Sequence, residues 1–133
     1  MDIFNELSTT LFSFFGEVFN IPVYLQGEVP DSNKDNAYCT IAYETPSYLG
    51  QDTLLQGHLY TVNTESRLEI NKLASLISNR VGEGIRIPIG ENAEGGYIAI
   101  YKGNPFIEPI SMEDSNRKCV YFTLDLQIYY TNN

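Results

Sequence analysis

The chain has one histidine, His58, and two cysteines, Cys39 and Cys119, and nucleophilic catalysis would draw on these residues. A Ser-His-Asp or Cys-His site needs a histidine as its base, held beside the nucleophile. His58 lies in the middle of a strand-like segment, and no nucleophile-elbow or family cysteine motif accompanies it. Both cysteines fall in apolar runs that are typical of small buried residues. We therefore predict a structural or solvated histidine and two buried thiols.

A metal site is the second chemistry to consider. Residues 31–35 read DSNKD, which is the pattern that begins a calcium loop. The pattern then fails, because Asn36 stands where glycine is required and Ala42 where the bidentate glutamate belongs. The lone histidine and the two cysteines also lack the spacing of zinc ligands. We predict a polar turn here, and we expect no metal and no cofactor.

Paired carboxylates and glycine loops are the remaining chemical candidates. Glu91 and Glu94 flank a loop that ends in two glycines, and such a pair can do acid–base work. With 17 acidic residues in the chain, pairs at this spacing arise by chance, so we predict a solvated loop. The glycines at 82 and 84 follow a predicted helix instead of preceding one. They therefore predict a helix end and not a phosphate-binding loop.

Large apolar residues occur in two long predicted connections, around residues 46–55 and 103–118. Such residues either fold back on the core or contact a partner, and both possibilities stay open at this point. The ten tyrosines favour contact slightly, since tyrosine is enriched at interfaces. The candidate contact residues are Tyr48, Leu49, Leu54, Leu55, Phe106, Ile107, Ile110 and Met112.

Hydrophobic periodicity predicts the elements that would position these residues. Apolar residues at spacings of three and four predict helices over 2–19 and 64–81. Strands are predicted at 21–26, 38–44, 52–62, 85–89, 96–101, 106–111 and 120–130, with Pro109 making the sixth an edge or a bend. This order predicts an α+β fold in a single domain over residues 1–133. We expect an antiparallel-rich mixed sheet, with an N-terminal helix and one central helix packed on it.

Composition excludes two classes of partner. The 133 residues carry a formal net charge of -9, and eight scattered basic residues do not form the patch that phosphates require. An anionic membrane surface is disfavoured for the same reason, and no run is long and apolar enough to span a bilayer. The excess acid is concentrated in residues 1–52, which hold eight acids and one base. We expect a soluble protein made in a reducing cytoplasm.

Several short motifs carry a resemblance to a known family. After the first predicted helix come IPVY at 21–24, VP at 29–30, a polar turn, and AYCTI at 37–41. A helix over 65–81 ends in glycines, and the chain closes with RKCVYFTLDLQIY at 117–129. In this order of elements the chain resembles the tail-terminator proteins, also called tail-completion or head–tail joining proteins, of long-tailed phages.

The resemblance implies a virion structural protein and no enzyme. Tail terminators are small α+β proteins that form hexameric rings on the tail tube, end its polymerisation and present the tail-side surface for head joining. The implied partners are further copies of the chain, the tail tube protein and a head-completion or neck protein, and the implied location is the head-proximal end of the tail. The candidate contact residues would then serve subunit or tube contacts. Glu91 and Glu94 become candidate channel-facing acids, past which DNA moves without being specifically bound.

Two other readings compete with this one. A small-ligand-binding or enzymatic α+β domain would use a concave sheet, and it would stay monomeric in the presence of tail tubes. An acidic DNA-mimic protein would bind a DNA-binding enzyme in a salt-sensitive way. The clustering of the acids toward the N-terminus, without regular stripes, ranks the DNA mimic last.

Overall fold

A computed structural model describes residues 3–33, 36–44, 52–61, 67–110 and 119–129. It contains two helices, α1 (Ile3–Phe19) and α2 (Arg67–Val81). The six strands are β1 (Val23–Leu25), β2 (Tyr38–Tyr43), β3 (Asp52–Tyr60), β4 (Ile85–Pro88), β5 (Tyr97–Ile110) and β6 (Cys119–Tyr129). Short 3-10 helices occur at Asp31–Asn33 and Glu91–Ala93. The predicted α+β fold is confirmed.

Both helices form where apolar residues recur at helical spacing, and both end at identifiable stops. In α1, Leu7, Leu11 and Phe15 lie on one buried face. The helix ends as Asn20 takes a left-handed conformation with φ of 55° and its N–H donates to the carbonyl of Gly16 at 2.9 Å. Helix α2 ends in the same way at Gly82, which has a left-handed conformation with a φ of 55°. The glycine pair thus ends a helix, as predicted.

The six strands form one mixed sheet in the order β1-β2-β3-β6-β5-β4. Strands β1 and β2 run parallel, and every other neighbouring pair is antiparallel. The last strand of the chain therefore enters the sheet between β3 and β5. This insertion makes β6 a central strand, and from Val120 onward its buried residues alternate with less buried ones.

The predicted strands at 96–101 and 106–111 are one strand in the structure, and the prediction of two was wrong. Strand β5 runs from Tyr97 to Ile110 without interruption and pairs with β6 along both halves. Between Lys102 and Ile107 the register shifts, so that five steps along β5 match two steps along β6. The glycine and proline in this stretch produce an irregularity inside the strand instead of ending it. Pro109 pairs with β6 in the half of β5 that lies beyond the β4 pairing, consistent with an edge position.

The core lies between the two helices and one face of the sheet. Phe122 of β6 lies at its centre, with ring centroids 5.8 Å from Phe15 and 5.9 Å from Phe19 of α1. Helix α2 adds Ile70, Leu73 and Ile77 to the same cluster of buried residues. Because both helices pack on this one face, the described part of the chain leaves the opposite face of the sheet open to other contacts.

Candidate functional site

The candidate site is the face of the sheet that points away from the helices, which we call the outer face. It consists of the alternate strand residues that include His58 of β3 together with Tyr121 and Asp125 of β6. Leu55, Leu59 and Phe122 are buried in the core. Because side chains along a strand alternate between the two faces of the sheet, the residues next to them in sequence lie on the outer face. The outer face divides into an aromatic half and an acidic half.

Five rings form an aromatic cluster across four strands. Tyr38 of β2 stacks on Tyr60 of β3, with ring centroids 4.7 Å apart. Tyr24 lies 6.3 Å from Tyr38 on one side. On the other side His58 lies 6.2 Å from Tyr60 and 4.9 Å from Tyr121. Cross-strand aromatic pairs of this kind stabilise a sheet and leave a rigid, amphipathic surface.

A second aromatic pair lies toward the opposite edge of the sheet. The rings of Tyr97 in β5 and Tyr129 in β6 lie 4.9 Å apart. The guanidinium of Arg86 in β4 lies over the ring of Tyr97 at 4.9 Å from its centroid, which is a cation–π contact. Tyrosines therefore occupy both sides of the outer face.

The aromatic cluster also surrounds polar groups that are buried. Thr40 lies between Tyr24 and His58 in the strand register and is buried, and its hydroxyl has no hydrogen-bond partner among the described residues. Cys119 is buried beside Tyr60, and both thiols of the described chain are free. The predicted burial of the two cysteines is confirmed.

Burial changes the titration of the groups that could act as a base or a nucleophile. It raises the pKa of the Cys119 thiol to about 11, although a hydrogen bond with Tyr60 works in the opposite direction. Burial, and then the neighbouring Cys119, raise the pKa of Cys39 above its usual range. Burial lowers the pKa of His58. Both thiols are therefore protonated at neutral pH, and protonated thiols are weak nucleophiles.

The acidic half of the outer face contains a groove of about 880 Å³. Its centre is a row of residues that lie side by side on neighbouring strands, where Leu54 of β3 pairs with Asp125 of β6, and Asp125 with Tyr101 of β5. Glu44 extends the row at the end of β2, where its carbonyl accepts a 3.1 Å hydrogen bond from the Thr53 hydroxyl. Leu54 is 55% exposed and Tyr101 is 43% exposed. Acidic and apolar groups thus alternate along the groove.

The structure separates the candidate contact residues that the sequence grouped together. Leu54 is exposed in the groove, whereas Leu55 is completely buried and belongs to the core. Phe106 and Ile107 are half-buried and pack against the core. Ile110 ends β5. Tyr48, Leu49 and Met112 lie outside the described residues.

The two candidate channel acids lie in one tight turn between β4 and β5. Glu91 begins the 3-10 helix, and Glu94 follows it and is exposed. The backbone N–H of Ile89 donates to the carbonyl of Gly96 at 3.0 Å, and that of Gly95 to the carbonyl of Ile89 at 2.9 Å. These bonds close the turn, which lies at the end of the sheet where β5 begins. The register shift between Lys102 and Ile107 lies further along the same strand.

The aromatic cluster and the groove were not predicted as sites. Each strand pattern indicates which residues share a face, but the row that joins Leu54, Asp125 and Tyr101 depends on β6 lying between β3 and β5. The only signal in the sequence was the number of tyrosines. The pattern within one strand does not show which tyrosines of other strands lie next to it.

The described residues contain neither a cluster of metal ligands nor a membrane-spanning helix. No group of three or more His, Cys, Asp or Glu side chains in the described ranges is arranged to hold a metal ion. In the same part of the chain, neither helix has the length and hydropathy of a membrane span.

Comparisons with known proteins inform the fold alone. No protein-family model matches the chain, and no curated protein matches its sequence. A solved structure of a protein designated only by a sequence number is similar to it, with a TM-score of 0.64 and 9% sequence identity. The similarity covers 99% of this chain and 97% of the other, so the two share one fold from end to end.

Proposed function

We propose that this chain is a phage virion structural protein of the tail-terminator type, which caps the tail tube, ends its polymerisation and forms the tail-side interface for head joining. The observation that carries the proposal is the outer face. Its exposed groove lies beside a cluster of five aromatic rings, and the helices cover only the opposite side of the sheet.

An interface that closes into a ring needs two different surfaces on each copy, one of which receives the other. The aromatic half of the outer face supplies one such surface, rich in the residues that interfaces favour, since tyrosine combines a large contact area with little loss of side-chain entropy. The helix side of the molecule or the irregular half of β5 then supplies the second surface. The order of elements in the fold is also the order that led to the family resemblance.

The charge of the chain suits a ring through which DNA passes. Each copy contributes a formal charge of -9, so a ring of six has a strongly negative field that repels the phosphate backbone. Glu94 is exposed in the turn between β4 and β5, which also contains Glu91. The proposal assigns these acids to the channel and the outer face to protein contacts.

The proposal is tested by polymerising tail tubes from the tube protein of the same phage with and without this chain. We expect shorter tubes that carry a cap at one end in negative-stain images, and capped ends with six copies of the 15.0 kDa chain. Tubes of unchanged length without caps would refute the proposal. The charge-reversed pair Glu91→Lys and Glu94→Lys should still cap tubes but should slow DNA ejection from assembled virions.

One observation favours a second candidate, a small-ligand-binding domain. The groove on the outer face has a volume of about 880 Å³, which lies within the range of small-molecule sites. This candidate predicts a chain that remains monomeric beside tail tubes and whose unfolding temperature rises with a small cationic ligand. Light scattering in the presence of tubes and a thermal-shift panel of such ligands separate the two candidates.

A further inference from the structure

The groove on the outer face combines two kinds of group that a single type of side chain can satisfy together. Glu44 and Asp125 provide carboxylates, and Leu54 and Tyr101 provide apolar and aromatic surface between and beside them. A lysine or arginine side chain has a long apolar stem and a cationic head. Its stem can lie on Leu54, its head can reach a carboxylate, and the ring of Tyr101 favours a nearby cation.

The length of the row defines the size of the occupant. Four residues on neighbouring strands extend over about 14 Å, since strands lie about 4.8 Å apart. An extended peptide covers that distance with four to five residues. The carboxylates of the row are two strand spacings apart, about 10 Å, with Leu54 midway between them. Every second side chain of an extended peptide points to the same side, so residues i, i+2 and i+4 face the groove over about 13 Å. Flexible cationic side chains at i and i+4 can then reach the two carboxylates.

Charge argues against a second copy of this chain as the occupant. The occupant must bring cationic side chains to the groove, and this chain has eight basic residues against 17 acidic ones. Three of the cationic side chains that the structure describes, Arg80, Arg86 and Lys102, already lie over aromatic rings of their own chain, at 5.7, 4.9 and 5.3 Å. No lysine or arginine is among the described residues that line the groove.

We propose that the groove binds an extended segment of a different protein that carries lysine or arginine at positions i and i+4 with an apolar residue at i+2. The segment lies across the strands, its cations at Glu44 and Asp125 and its apolar side chain on Leu54. This inference rests on the proposed function only for the identity of the partner, which would be the tube or neck protein. The chemistry of the bound segment follows from the groove itself.

The test is a titration followed through the backbone amide signals of the isotope-labelled protein, using the blocked pentapeptide Lys-Ala-Leu-Ala-Lys as probe. Matched probes are Glu-Ala-Leu-Ala-Glu, Lys-Ala-Gly-Ala-Lys and free spermidine. We expect the first peptide to shift the amides of residues 42–44, 52–56, 101 and 125–127. The acidic peptide should shift none of them, and loss of the apolar residue should weaken binding several-fold.

Matched variants locate the contact. Replacing two groove acids, Glu44→Gln with Asp125→Asn, should weaken the peptide about fivefold or more, because two ion pairs are lost. Glu28→Gln with Glu83→Gln makes the same change in net charge at two exposed residues outside the groove, and binding should not change. All four side chains are exposed, so folding should persist, and the dispersion of the amide signals verifies it.

Four results would overturn the proposal: no shift at millimolar peptide, shifts spread over the surface, equal loss in both double variants, or equal binding of spermidine and peptide. Shifts at the groove that depend on protein concentration without any peptide would assign the groove to a second copy and would overturn it too. Tube capping by the unaltered chain is measured separately. If capping fails while the peptide binds in the groove, the proposed function is refuted. The inference that the groove binds a cationic peptide with an apolar residue then still holds.

Discussion

Gly57 of β3 lies directly opposite Phe122 of β6, and the phenyl ring occupies the space that a side chain at residue 57 would need. A Cβ atom added to Gly57 would lie 2.1 Å from the Cζ atom of that ring. The ring is fixed from its other side by Phe15 and Phe19 of α1. The absence of a side chain at residue 57 therefore leaves room in the middle of β3 for the central aromatic ring of the core.

The first prediction follows from this contact. Gly57→Ala should lower the free energy of unfolding by about 1–3 kcal/mol, because a packed ring must move to admit a methyl group. Urea denaturation followed by circular dichroism measures the change. Gly16→Ala is the matched control, since a Cβ atom at Gly16 meets nothing within 4 Å and the residue lies inside α1. The control should gain about 0.5–1 kcal/mol, and an equally stable Gly57→Ala variant would contradict the packing described.

Adjacent leucines of β3 give the second prediction, because they point to opposite faces of the sheet. Leu55→Ala should cost about 2–5 kcal/mol of stability, as expected for a fully buried leucine. Leu54→Ala, at a residue that is 55% exposed, should change stability by less than about 0.5 kcal/mol. Only the second variant is suitable for assembly or peptide-binding assays, in which it should weaken the contact at the groove. Similar stability losses in both variants would contradict the assignment of faces.

Local periodicity predicted the helices and the last strand, because each pattern lies within one element. In β6 the buried residues Phe122, Leu124 and Leu126 alternate with less buried ones, as the period of two requires. The continuity of β5 could not be predicted in this way, because Gly103 and Pro105 are ordinary turn signals. Pairing with β6 on both sides of the irregularity keeps the strand in the sheet. The groove depended on the strand order, which single-strand patterns do not contain.

The lone histidine gives the third prediction, on pH dependence. Burial lowers the pKa of His58 from 6.5, so the unfolded chain accepts a proton at a higher pH than the folded chain does. Stability should therefore fall as the pH decreases through about 6.5. His58→Gln should remove this component, seen as a smaller difference in unfolding free energy between about pH 7.5 and pH 5.5. Because the chain has a single histidine, the pKa of His58 can be measured directly from the pH dependence of its imidazole proton signal in NMR spectra. A midpoint of this titration at or above 6.5 would contradict the prediction.

The two buried thiols give the fourth prediction, in which the sign of the pH effect is reversed. Burial raises the pKa of Cys119 from 9.0 to about 11, so the unfolded chain loses this proton first as the pH rises. Stability should therefore decrease progressively between these two values, and Cys119→Ala should lose less than the unaltered chain on going from about pH 7 to about pH 10. At about pH 8, a thiol-reactive disulfide reagent should label both cysteines rapidly in denaturant and only slowly in the native protein, because the thiolate is the reactive form. Fast labelling of the native chain, or equal losses of stability in the two proteins at high pH, would mean that Cys119 is neither buried nor protonated beside Tyr60.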